Sequence, residues 1–142
     1  MNRFMSYNVA GREFRRKKRL LIYGSCLAVE HPEIVEEYSQ NRVALAVCME
    51  ETHVNMFITK LAGVLARVNL EEITVLSVDG SLHCVQLHTG VEEAIKISGK
   101  KLPVKHLVYE KERVIEVNPR AVKISRYLSK INNLLRKNMN EH

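Results

Sequence analysis

The sequence predicts an α/β protein: a three-layer sandwich whose mostly parallel sheet of four to five strands carries helices on both faces. Two observations lead there. Leu20–Tyr23 and Val43–Val47 are short apolar runs, the pattern of strands buried on both faces, and Ile73–Val78 is the most β-branched segment of the three. Between and after them apolar residues recur at steps of three and four, the pattern of amphipathic helices. The element order is βαβαβαββα, and Glu71–Gly99 shows its unit most plainly as strand, tight turn and helix. Crossovers should be right-handed, with a strand order such as 2-1-3-4 and a fifth strand antiparallel at the edge.

Residues 1–19 read as a flexible basic arm and residues 20–142 as a single α/β domain. The arm carries Arg3, Arg12, Arg15, Arg16, Lys17, Lys18 and Arg19 against Glu13 alone, which accounts for the whole chain's net charge of +6. Charge this dense repels itself and resists packing, leaving Phe4, Tyr7 and Phe14 as its docking candidates. Strand 1 stops at Gly24-Ser25, Cys26 follows at the turn, and Pro32 opens a short helix. Strand 2 ends at Cys48. Thr52 is the best cap for the next helix, whose apolar face holds Phe57, Leu61, Val64 and Leu65. Gly63 on that helix is expected to allow close approach to the sheet.

After strand 3, Asp79-Gly80-Ser81 turns the chain, and Asp79 or Ser81 caps a helix ending at Gly99. Cys84, Leu87, His88, Val91 and Ala94 share one face of it. Pro103 precedes strand 4, Glu110–Glu112 turns a hairpin, and Arg113–Val117 alternates as an edge strand does. Asn118-Pro119 starts one long last helix with Ile124, Leu128, Ile131 and Leu135 as its buried stripe, fraying after Asn138.

A chain of 142 residues with 46% hydrophobic and 27% charged side chains is long enough to bury a proper core. No apolar run reaches the roughly 18 residues of a membrane span, and the first nineteen lack the apolar centre of a signal peptide. A cytoplasmic location with no membrane contact is therefore expected. Three cysteines, spaced 22 and 36 apart, read as reduced thiols rather than a disulfide framework.

Open parallel sheets bind ligands outside the carboxyl ends of their strands. This chain places Gly24, Ser25 and Cys26 there, then Cys48, Glu50 and His53, then Asp79, Ser81, His83 and Cys84, with His88 one turn on. All three cysteines fall at this one edge. Cys26, Cys48 and Cys84, with His83 or His88, are accordingly the candidate ligands of zinc or an iron–sulfur cluster. Cys84 and His88, at i and i+4, share a face as two ligands on one helix do. Gly24, Ser25, Asp79 and Ser81 lie in turns at helix N-termini and are candidate binders of an anionic cofactor. The competing reading makes the cysteines small buried apolar residues and Ser81 an ordinary cap. CxxC pairs, a Walker loop, GxGxxG and GxSxG are all absent.

Short strands ending in Cys or His-Cys resemble the small iron–sulfur subunits that carry electrons between hydrogenases and disulfide reductases; the likeness lies in the order of elements and transfers no residue. The expected function is a small metal- or iron–sulfur-binding protein assisting redox chemistry with a redox partner protein. One alternative is an anion- or nucleic-acid-binding module using the arm and helix N-termini. The other is a thiol-dependent enzyme built on Cys84 or Cys26 with His83 or His53. The last helix and the edge strand offer surfaces for a homodimer.

Overall fold

The computed structural model describes residues 1–140. Five strands, β1 (Arg19–Gly24), β2 (Val43–Val47), β3 (Glu72–Val78), β4 (Val104–Glu110) and β5 (Arg113–Val117), form one sheet in the order β2-β1-β3-β4-β5. All neighbours are parallel except β4 and β5. The strand order and the antiparallel edge match the expectation. Ile22 lies beside Leu45 and Val75, and Val75 lies beside His106, so the three central strands end level at one rim.

The helices are α1 (Arg12–Lys17), α2 (Ser25–Glu30), α3 (Pro32–Tyr38), α4 (Val54–Arg67), α5 (Leu82–Ser98), α6 (Pro119–Ile124) and α7 (Leu128–Asn140). α4 and α5 cover one face of the sheet, where Phe57, Leu61, Leu87 and Val91 meet Ile22, Leu45 and Val75. α2 and α3 cover the other, where Leu27 and Val35 meet Leu21, Leu76 and Leu107. Sequence chemistry fixes several ends. Ser81 caps α5 by accepting from the His83 N–H (3.2 Å), and Gly99 closes it in the left-handed region at φ 72°. Asn118 caps α6 by accepting from the Arg120 N–H (2.9 Å), with Pro119 as first helical residue.

Several expectations are corrected. Residues 1–19 are not a flexible arm. Phe4 and Phe14 are fully buried, Phe4 meets Phe57 edge-on at 5.4 Å, and Tyr7 meets Phe14 at 5.6 Å. Lys60 donates to the carbonyls of Phe4 and Tyr7, and the Ala46 N–H donates to the Asn2 carbonyl (2.8 Å). The charges that argued for mobility point outward; Arg3, Arg16, Lys17 and Arg19 each lie within 4 Å of a glutamate. Aromatic burial, worth roughly 1.5–3 kcal/mol per ring, outweighs repulsion that water screens.

Cys26 sits inside the first turn of α2, not in a loop, because the chain passes directly from β1 into a helix. His53, not Thr52, occupies the N-cap of α4. The glycine that permits close approach is Gly90 on α5: a Cβ there would lie 3.1 Å from two carbons of the Phe57 ring, whereas one at Gly63 would touch only Arg67. The last helix breaks in two between Ile124 and Leu128, where the Ser125 hydroxyl donates back to the Val122 carbonyl (2.6 Å). α6 buries Val122, but the stripe expected to be buried on α7 is largely open to solvent, with Leu128 79% and Leu135 57% exposed and Ile131 half-buried. The final part of the tail expected to fray, residues 141–142, lies outside the described residues. Among the described residues no helix is long and apolar enough to cross a membrane.

Candidate functional site

The carboxyl ends of β1, β2 and β3 open onto a cleft of about 210 Å³ lined by Gly24, Ser25, Cys26, Cys48, Glu50, Ser77, Ser81, His83 and Cys84. Parallel pairing makes this convergence. Residues 22 and 36 apart in sequence reach one rim because three strands stop together. Asp79 and His88 lie outside this cleft and line a smaller recess between α5, β5 and α6. His53 lines neither.

The three thiols differ in setting. Cys26 is exposed, Cys48 half-buried and Cys84 buried. Cys84 is the one attached to further chemistry. Its Sγ contacts the Ser77 hydroxyl (2.6 Å), and that hydroxyl contacts His88 Nε2 (2.7 Å). His88 Nδ1 meets His106 Nδ1 (2.8 Å), and His106 Nε2 meets the Glu92 carboxylate (2.6 Å). Five side chains thus form an unbroken chain from the cleft, beneath α5, to a partly exposed carboxylate. Ser77, His88 and His106 are each no more than 4% exposed.

β3 and β4 position Ser77 and His106 on the face turned to α5, and the helical step of four puts Cys84, His88 and Glu92 above them. Burial pushes the Cys84 thiol above its ordinary pKa; Asp79 and Cys26 add to this, and the Ser77 hydrogen bond opposes it. Burial, helped by the neighbouring His106, lowers His88 to about 3, so its imidazole is neutral across the physiological range. Glu92 is held below the usual carboxylate range, first by its hydrogen bond from His106.

His88, expected beside Cys84 as a second ligand to one metal, is engaged through both ring nitrogens, with Ser77 and with His106. Among the described residues no three His, Cys, Asp or Glu side chains are grouped to hold a metal ion. Three members of the chain escaped the sequence analysis: Ser77, Glu92 and His106. Their signals are a serine late in the most β-branched strand, a His88–Glu92 pair one turn apart, and a histidine at an inward position of β4. Each signal is local, and only the β3–β4 register joins them.

Comparison with known proteins adds one finding. A family model described as a Rossmann-like domain matches residues 13–141. No curated protein and no solved structure matches the chain. The match spans nearly the whole sequence, and the parallel sheet with helices on both faces agrees with it. The chain belongs to the Rossmann-like domain family.

Proposed function

We propose that this chain performs thiol–disulfide exchange on a small disulfide held in the cleft, with Cys84 as nucleophile and Cys26 as resolving thiol. The observation that carries the reading is the continuous contact Cys84–Ser77–His88 beneath a cleft lined by two more thiols. A buried nucleophile in hydrogen-bond reach of a base system is the arrangement that activates a weak nucleophile. Because burial keeps Cys84 protonated at neutral pH, its proton must leave as the sulfur attacks. Ser77 takes that proton while passing its own to His88 Nε2, which the neutral imidazole accepts.

Attack by Cys84 on R–S–S–R forms Cys84–S–S–R and releases R–S⁻. Attack by the Cys26 thiolate on Cys84 Sγ then forms a Cys26–Cys84 disulfide and releases a second R–S⁻. The substrate gains two electrons and the cysteine pair loses them. Cys26 and Cys84 line the same cleft. Exchange needs no oxyanion hole, and the N–H of Cys84 is already engaged with the Ser81 carbonyl.

The test is reaction of the reduced protein with 5,5′-dithiobis(2-nitrobenzoate), followed by peptide mapping. The expected product is a Cys26–Cys84 disulfide, formed at least about tenfold more slowly in Ser77→Ala. Cys84 remaining reduced while Cys26 and Cys48 both carry the label would overturn the reading.

A further inference from the structure

We infer that the Cys84 proton leaves through Ser77 and His88 to His106, where the Glu92 carboxylate balances its charge, so that the thiol cleft and a basic groove on the far side of α5 are joined by one proton path. The inference deepens the exchange reading above and rests on it. The groove is lined by Glu92, Glu93, Lys96, Arg120, Lys123 and Arg126, between α5 and α6.

The argument begins at Glu92. An ionised carboxylate only accepts, so His106 Nε2 carries the hydrogen of that 2.6 Å contact. In neutral His106 the other nitrogen, Nδ1, then accepts. His88 Nδ1 must therefore donate across the 2.8 Å contact, which leaves His88 Nε2 as an acceptor. The Ser77 hydroxyl donates to that Nε2 and accepts from the Cys84 thiol. One direction satisfies every member, each bond used once.

Moving one proton along each of the first three bonds, from Cys84 to His106, reverses that part of the chain and again satisfies every member, while His106 Nε2 still donates to Glu92. Cys84 becomes a thiolate accepting from Ser77, Ser77 accepts from His88 Nε2, and His88 Nδ1 accepts from a doubly protonated His106. No atom is left without a partner in either state. The two states differ in where the positive charge rests. His106 has a carboxylate against its outer nitrogen; His88 has only a hydroxyl and another imidazole. His88 is therefore a point of passage, and the ion pair His106–Glu92 is the store.

Charged and titratable groups facing the path come from several elements. At the thiol end these are Asp79 in the β3–α5 turn and Cys26 on α2. At the outer end Lys96 on α5 faces Glu92, and Arg120 and Lys123 on α6, with Arg126 in the break after it, line the same groove. Glu93 is tied to Arg126 at 3.6 Å and stands off the path. The His106 hydrogen bond first, with Lys96 adding to it, holds Glu92 ionised, the state that the path requires. Glu92 and His106 are positioning residues: they touch no substrate and act on Cys84 through Ser77 and His88.

The test uses Glu92→Gln in the full chain, a change at a side chain that is 34% exposed. An amide still accepts from His106 but cannot balance its positive charge. The expected result is about a tenfold slower alkylation of Cys84 by iodoacetamide at pH 7, with its pH midpoint raised by about one unit and Cys26 unchanged. Glu93→Gln should leave both values as they are. Ring ¹⁵N spectra supply a second readout: in the native protein with Cys84 protonated, His88 should be the Nδ1–H tautomer and His106 the Nε2–H tautomer. Glu92→Gln should shift the resonances of His88, which it does not touch. A reactive Cys84 whose profile ignores Glu92→Gln overturns the path and leaves the exchange reading standing. An inert Cys84 with His88 resonances that respond to Glu92→Gln overturns the exchange reading and supports the path.

Discussion

The two faces of the sheet are built from the same strands but to different ends. Toward α2 and α3 the buried contacts are Leu21, Leu76 and Leu107 against Leu27 and Val35. Toward α4 and α5 the same alternation supplies Ile73 and Val75, and then Ser77 and His106, where apolar packing gives way to a hydrogen-bonded chain. The first face holds the fold by area removed from water, a term indifferent to pH. The second adds groups whose protons matter, so its strength depends on acid. The buried hydrogen-bonded chain thus lies in one layer, and apolar packing dominates the other.

Acid is the strongest way to separate the two. Below about pH 6.5 an unfolded chain takes up a proton on His88 that the folded protein refuses until about pH 3. The unfolded state binds more protons in that window, so stability falls as pH falls, by up to roughly 5 kcal/mol from this group. Glu92, whose carboxyl is also held low, acts in the same direction in the acid range. Denaturant titrations from pH 7 to pH 4 should show this loss, and a flat profile would break the comparison.

On the apolar face Leu27→Ala should cost about 2–5 kcal/mol, by the same amount at pH 7 and pH 5, in those titrations. Ser77→Ala comes next, at about 1–3 kcal/mol, because it leaves His88 Nε2 buried without its donor. Part of that loss should be recovered in Ser77→Thr, which keeps the hydroxyl. Smallest is Gly90→Ala. The added methyl presses on Phe57, which Phe4 holds from another side, and the gain in helix propensity offsets part of the strain. A net loss of about 1 kcal/mol is expected, read as a lowered thermal midpoint with Cys84 alkylation unchanged.

Much of this was legible in the residues. Apolar and β-branched runs identified β1, β2 and β3, and the cysteines that follow them line one cleft. Two stretches misled in opposite ways. In residues 1–19 the density of arginine and lysine argued for mobility, but three aromatic rings spaced through the segment decide the outcome. On α7 the periodic Leu128, Ile131 and Leu135 argued for burial, but periodicity identifies a face without supplying a partner for it. The proton path was hidden for a third reason. Ser77, His88, Glu92 and His106 each look ordinary alone, and what they share is a register between strands joined through α5.

The Asn2 carbonyl and Arg3 pair with Ala46 along the outer side of β2, which would otherwise be a bare sheet edge. Preparations that lose the first handful of residues to proteases, or that fuse a bulky tag there, should therefore expose a strand ready to stitch to its copy in another molecule. Soluble yield and storage life should depend on how the amino terminus is handled, and tags belong at the other end.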